Sequence, residues 1–362
     1  MLTRRDLAFA AAAFCAPHSG HAAIPGLRQL AEARGLLFGS MVRGDVLGKD
    51  RAYGDMMARE CDLFVSREVH FDYLEPRRGS FDLAAVDGEI AWATAHQMRF
   101  HGACLVWGEH VPGWFRDLAG GADAARAMTD HITKVCQHFA GKVQSWDVVN
   151  EGLKLEDGQT GGLRRTVFLD KVGPDYIDLA FRAAREADPK ARLDLNDFGL
   201  ELDLSWHEDK RRALLALLDG LKKRGTPIDA IGLQSHLSTR SFGHFNERVF
   251  SDFLRELASR GFDIYLTELD VYDRDAPADV KQRDPQIADI YRRYLSVALA
   301  NKAVKLVVSW GLTDRDNWVT SAQNDERRSD GQLSRPLPYD TAYLPKPAYV
   351  AVAEALNAAP PR

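Results

Sequence analysis

A disulfide framework, membrane spans and nucleotide loops are missing from this 362-residue sequence. Cysteine is scarce, at four residues. Cys15 lies in an N-terminal apolar segment, which leaves Cys61, Cys104 and Cys136. An odd number excludes a fully paired disulfide framework. Cys104 falls in an apolar strand pattern and Cys136 in a helical one, so both read as buried structural thiols and not as nucleophiles. No apolar run approaches the roughly 20 residues that cross a bilayer. The formal net charge is only −5, and basic residues occur as scattered pairs (Arg77-Arg78, Arg164-Arg165, Arg327-Arg328). Without a basic stripe, nucleic acid is not expected as a partner. No H-E-x-x-H, paired C-x-x-C, G-x-S-x-G or P-loop is present. His207-Glu208 has no second histidine at the zinc spacing, so neither a metal site nor a cofactor is expected. Low-complexity segments and interdomain linkers are absent as well.

What is present begins with a processing signal over residues 1–23. Arg4-Arg5 precede an apolar run from Leu7 to Phe14, and small residues follow around Gly20-His21-Ala22. Thr3-Arg4-Arg5-Asp6-Leu7 looks like a twin-arginine export signal, with a general secretory signal as the alternative. Phe14 before Cys15 fits a lipid-attachment box badly. A periplasmic or secreted bacterial protein, without a membrane anchor after cleavage, is the expectation. Residues 24–362 then form the working domain.

In that domain, short apolar strands alternate with helical stretches. Strands are expected at Leu36–Met41, Asp62–Glu68, Phe100–Trp107, Val143–Val149, Arg192–Asn196, Ala230–Leu233, Ile264–Leu269 and Val304–Trp310. Between and after them, helical patterns run over Arg51–Glu60, Leu83–Gln97 with Asp82 as a cap, Asp123–Phe139, and Pro174–Ala187 with the proline at the first helical position. Further helices are read near Trp206–Arg224, Asn246–Arg260, Pro285–Ala300 and Lys346–Asn357. Eight alternating units with no composition break predict a single-domain α/β fold, the (β/α)8 TIM barrel. The competing open doubly wound sheet lacks its G-x-G-x-x-G turn. The long irregular stretch between Trp318 and Tyr343 is where a substrate loop is expected.

Polar residues punctuate the strand ends: Glu68, Glu151, Asn196-Asp197, His236, Glu268 and Trp310. That end of a barrel carries the active site in this fold. Trp146-Asp147-Val148-Val149-Asn150-Glu151 and Ile264-Tyr265-Leu266-Thr267-Glu268-Leu269-Asp270 each bring an apolar strand to a carboxylate. Two carboxyls facing each other suffice to hydrolyse a glycosidic bond. One protonates the departing oxygen, and the other meets the oxocarbenium-like carbon. His236 with Asp270 can hold Glu268 ionised and oriented, and Asn150 can donate to a sugar hydroxyl. Trp107, Trp310 and Trp318 offer flat faces for sugar rings.

These residues resemble a known family. Trp146–Glu151 is similar to the W-D-V-V-N-E strand of glycoside hydrolase family ten, whose typical members are endo-1,4-β-xylanases. Ile231-Gly232-Leu233-Gln234-Ser235-His236 resembles its G-I-G-x-Q-x-H strand, and Thr267-Glu268-Leu269-Asp270 its T-E-L-D. Ser309–Asp314 with Asp316-Asn317-Trp318 resembles W-G-x-T-D…S-W, and Pro345–Tyr349 the closing P-K-P-A-Y. The resemblance spans essentially the whole mature chain. It implies a retaining double displacement on β-1,4-xylosidic bonds, with Glu151 as acid/base, Glu268 as nucleophile, and Asn150, Gln234, His236 and Asp270 in support. It also implies that Glu68, Arg67, His70, Asn196, Trp107, Trp310 and Trp318 bind a xylan-like polysaccharide or oligosaccharide, in a protein working as a monomer.

The departures lie after strands two and three. Ser66-Arg67-Glu68-Val69-His70-Phe71 stands for E-N-E-M-K-W. His101-Gly102-Ala103-Cys104-Leu105-Val106-Trp107-Gly108 stands for R-G-H-T-L-V-W-H, so Ala103 and Gly108 replace histidines and His70 a lysine. Leu195 replaces a common aromatic. In the family these positions line the non-reducing side of the cut. The expectation is retained chemistry with altered glycon recognition, such as Arg67 facing an acidic substituent of glucuronoxylan. A β-glycosidase acting on another glycan, or a carbohydrate-binding protein without catalysis, are the alternatives.

Overall fold

The computed structural model describes residues 25–321 and 324–362. The export signal expected over residues 1–23 lies outside the described residues. A short helix at Leu27–Glu32 precedes eight strand–helix units. Their order is β1 (Leu37–Val42), α1 (Arg51–Glu60), β2 (Leu63–Ser66), α2 (Ala84–Ala95), β3 (Arg99–Trp107), α3 (Ala122–Phe139), β4 (Ser145–Asn150) and α4 (Tyr176–Ala187). There follow β5 (Arg192–Asp197), α5 (Ser205–Lys223), β6 (Ala230–Leu233), a short β7 (His236–Ser238) and α6 (Glu247–Ser259). The chain ends with β8 (Asp263–Tyr272), α7 (Val280–Ala300), β9 (Val304–Ser309) and α8 (Pro347–Ala358).

All the strand pairings are parallel, and β1 pairs with both β2 and β9 while β6 pairs with β8. The sheet therefore closes into the expected (β/α)8 TIM barrel. β7 stands outside the ring, pairing His236 with Asp270 at the extended end of β8. Because successive residues of a strand face opposite ways, the apolar runs feed two cores. One set (Phe64, Phe100, Val148, Leu193, Ile231 and Leu266) packs outward against the helices. The other fills the barrel with Leu63, Val65, Ala230, Tyr265, Leu306 and Val308.

The inner set changes character halfway around. Strand register carries it from Val65 to His101 and Ser145, and from Ala103 to Asp147, Asp194 and Ala230. Asp147 and Asp194 thus face each other across β4 and β5, both buried. Burial raises both carboxyls well above their ordinary range, Asp194 adding to the effect on Asp147. The shift toward the neutral form lessens the charge buried beneath the mouth of the barrel.

Most of the expected elements recur within a residue or two, and three details differ. Pro174 does not open α4: the helix starts at Tyr176 with Asp175 at its N-cap. Gly173 and Pro174 form a turn that Tyr176 N closes onto Gly173 O at 3.1 Å. Pro285 lies inside α7, which begins at Val280 behind the Asp279 cap. Leu83, not Asp82, is the N-cap residue of α2, although Asp82 still accepts from Ala84 N at 3.4 Å. The 318–343 stretch carries a single 3-10 turn (Trp318–Thr320) among its described residues and sends Trp318 and Glu326 to the barrel mouth.

Candidate active site

A cleft of about 730 Å³ opens at the C-terminal ends of the strands. Arg67, His70, Trp107 and His110 line one end, Asn150, Glu151, Gln234, His236 and Glu268 the middle, and Phe198, Leu204, Trp206 and His207 the other.

Glu268 is reached from two sides. Its Oε1 accepts from Asn196 Nδ2 at 2.8 Å, and its Oε2 lies 3.2 Å from His236 Nε2. The other imidazole nitrogen, His236 Nδ1, is 2.8 Å from Asp270 Oδ1. Trp318 Nε1 donates to Asp270 Oδ2 at 2.7 Å. Burial opposes a charge on His236, but the carboxylates on both of its ring nitrogens prevail and push its pKa up to about 10. The ring is therefore an imidazolium at neutral pH, donating to Glu268 and Asp270 at once. Burial raises the Glu268 carboxyl, and the His236 and Asn196 donors pull it back toward ionisation.

Glu151 sits just past β4 in a left-handed backbone conformation, φ +54°. This is a strained geometry for a residue with a Cβ, of the kind found at functional sites. It is held by a hydrogen bond from Glu151 N to Asn196 O, at 2.8 Å. Its Oε1 accepts from Gln234 Nε2 at 3.1 Å, and its Oε2 from Arg164 Nη1. Arg164 also donates from Nη2 to Glu109 Oε1 at 2.8 Å. Asn150 Oδ1 accepts from both Asn196 Nδ2 (3.1 Å) and Gln234 Nε2 (3.2 Å). That leaves the Asn150 amide NH2 as the donor group on the cleft wall. Two carboxyls are thereby presented to one cleft in unlike settings: Glu268 among donors that favour its charge, Glu151 at the open edge beside an amide and a guanidinium.

The expected site residues separate into two groups. Glu151, Glu268, Asn150, His236, Gln234, Trp107, Trp310, Trp318, Arg67 and His70 all line the cleft. Asn196, Asp270 and Glu68 do not. Asn196 was expected to bind sugar, but it is buried, and Thr267 Oγ1 donates to its Oδ1 at 2.6 Å while its Nδ2 serves Glu268 and Asn150. With its whole amide engaged it orients its neighbours. Asp270 is fully buried behind His236. Glu68 lines a small side pocket with Arg43, Asp45 and Tyr73 instead.

The departures from the family pattern also separate. Arg67 is exposed, lines both the cleft and the side pocket, and makes no hydrogen bond or ion pair among the described residues. His70 stacks on His110, with centroids 4.1 Å apart and planes at 13°. Burial, with the charges of His110 and Arg67, lowers its pKa to about 3, so it is neutral. Gly108 has a packing cause: a Cβ there would stand 2.7 Å from Thr166 Cγ2. A side chain at residue 108 would press on Thr166 in the loop after β4, the same loop that brings Arg164 to Glu151.

Arg164 and Trp206 escaped the sequence reading. Arg164 stood in a basic pair with no visible partner, and Trp206 looked like the start of a helix. Among the described residues, no group of three or more His, Cys, Asp or Glu is arranged to hold a metal ion. Cys61, Cys104 and Cys136 are buried free thiols that burial keeps protonated.

A closed barrel that offers the Glu151 and Glu268 carboxyls and four indoles to one groove is the framework of a sugar-cleaving hydrolase. Comparison with known proteins is more definite. Residues 26–355 match the model of glycosyl hydrolase family 10, and the chain belongs to that family. It is 30% identical to endo-1,4-beta-xylanase B of Thermotoga neapolitana over 349 residues, 95% of this chain and 94% of that protein. It is 33% identical to exoglucanase XynX of Acetivibrio thermocellus, covering 85% of this chain but 27% of that longer protein. The fold matches xylanase 10B of Thermotoga petrophila in complex with xylobiose, with TM-score 0.82, 30% identity, and 93% and 98% of the two chains covered.

Proposed function

We propose that this glycoside hydrolase is a retaining endo-1,4-β-xylanase, with Glu268 as nucleophile and Glu151 as acid/base. The observation that carries the reading is the pair of hydrogen bonds that orient Glu268 from Asn196 and a doubly engaged His236. In the first step Glu268 forms a bond to the anomeric carbon as the glycosidic C–O bond breaks, and Glu151 gives its proton to the departing oxygen. In the second, Glu151 as carboxylate takes a proton from water. The water oxygen bonds to the same carbon and Glu268 leaves, so two inversions return the β configuration. Asn150 Nδ2 donates to the sugar hydroxyl next to the reacting carbon. Trp107, Trp310 and Trp318 pack against sugar rings.

Its long relatives include a protein named for cellulose-type exo action, so the glycan is tested directly. Purified enzyme should release short β-1,4-xylo-oligosaccharides from xylan and little from cellulose, with the activity gone in Glu268→Gln. Preference for cellulose, or full activity in that variant, would overturn the reading.

A second reading concerns decoration. Because Arg67 is unpartnered at the glycon end of the cleft, it favours substrates carrying a carboxylate, such as the uronic acid of glucuronoxylan. Residues 1–23 export the folded enzyme to the periplasm or medium, where polymeric xylan is accessible. The enzyme works as a monomer in this reading, which the supply of both carboxyls and the four cleft indoles by one chain supports. Retention of the N-terminal segment in mature protein recovered from the producing cells would contradict that export route.

A further inference from the structure

The end of the cleft farthest from Arg67 continues past the reacting centre. A second cavity of about 480 Å³ adjoins it, and Phe198 and Trp206 line both. Trp206 is 44% exposed, one of the few large apolar side chains left in water among the described residues. It stands at the N-terminal end of α5, where a residue free of other duties is normally polar.

Its position is built. Gly199 adopts φ +69°, and a Cβ on it would lie 2.3 Å from the Trp206 ring, so the indole rests against bare backbone. His207 packs against it at 3.9 Å between centroids. Burial, with Arg211 and Lys210 adding, lowers the His207 pKa to about 3. Its Nδ1 accepts from Leu202 N at 3.3 Å, which fixes a neutral tautomer. Phe198, the other shared wall, lies under Lys210 Nζ at 3.7 Å, and Lys210 is itself tied to Asp197 at 2.7 Å. An exposed indole held flat by its neighbours, over a cavity with Lys154 and Glu156 on its far wall, suits a sugar ring. The C–H face of the sugar meets the aromatic surface while its hydroxyls find polar partners.

We propose that Trp206 is the platform of an additional subsite beyond the reacting centre, which binds a distal residue of the leaving-group side of a long, unbranched β-1,4-glycan. The proposal rests on the xylanase reading for the identity of the sugar. It deepens that reading toward internal cleavage, because only a chain continuing well past the cut reaches Trp206.

The test is binding by the Glu268→Gln protein, measured by calorimetry with xylotriose and xylohexaose. The Glu268→Gln parent should bind the hexamer more tightly than the trimer. Adding Trp206→Ala should reduce that gain about tenfold, the size expected of one aromatic contact. Trp206→Phe should restore most of it, and Trp206→Leu, which keeps an apolar group on Gly199, should be as poor as alanine. An unchanged gain in the alanine and leucine variants would overturn the subsite. Failure of the parent to bind either oligosaccharide would overturn the xylan reading and remove this ligand with it.

Discussion

The ends of β4, β7 and β8 and the wall after β2 and β3 belong to one cleft but are held very differently. The groups that hold Glu268 are themselves held: Asn196 is fixed by Thr267, His236 by Asp270, and Asp270 by Trp318. On the other wall, Arg67 reaches into the cleft with nothing to hold it, and Trp107 Nε1 is buried without a partner among the described residues. Bond cleavage needs carboxyls fixed to within fractions of an ångström, whereas recognition of a distal sugar tolerates looser contacts. Variation is therefore better tolerated at exposed positions of the wall, such as Arg67, than at the strand ends, whereas Gly108, packed on Thr166, is a departure that its surroundings fix.

Substitutions should grade along this contrast. Glu268→Gln removes the nucleophile and should lower turnover by about four orders of magnitude or more. A loss of only tenfold would place the chemistry elsewhere. Glu151→Ala should cost about 10²- to 10⁴-fold on xylan, the range of general acid catalysis. On an aryl xylobioside whose leaving group needs no proton, the first step should persist and a burst of released phenol should be seen. Equal losses on both substrates would contradict the acid role.

His236 gives a pH signature. Its pKa in the folded protein, about 10, lies above the ordinary value, so the ion pairs it makes stabilise the fold fully below about pH 6.5. That stabilisation is lost as pH rises through about 10. The difference in thermal midpoint between the native enzyme and His236→Asn should shrink steadily across that window, and a difference independent of pH would refute the imidazolium. On the wall, Gly108→His should destabilise by about 1–3 kcal/mol in denaturant titration, because the added side chain displaces Thr166. Smallest of all, Arg67→Ala should lower the preference for uronic-acid-bearing over plain xylo-oligosaccharides by about two- to fivefold, the worth of one exposed ion pair. A larger effect would make the wall as determined as the centre and break the contrast.

The barrel was legible because its strands are continuous apolar runs of the right spacing, and their closure follows from eight units. Glu151 and Glu268 were legible because charge at the tip of a buried strand is costly without a purpose. Contacts made by the long loops were not. Arg164 lies 13 residues beyond Glu151 and meets it across a loop that folds back on itself, where Arg164 N donates to Gly152 O and Thr166 packs on Gly108. Trp206 is conspicuous only once its exposure and the cavity beside it are known. Asn196 was assigned to the substrate because it ends a strand. Its burial, which turns it into a support for Glu268, depends on Thr267 from a distant strand.

The central claim is that Glu268 forms the covalent bond to sugar. A 2-deoxy-2-fluoro-β-xylobioside with a good leaving group should accumulate on the enzyme, and peptide mass mapping should place the added sugar on Glu268. A sugar on another residue, or rapid turnover with inverted product and no adduct, would contradict the account.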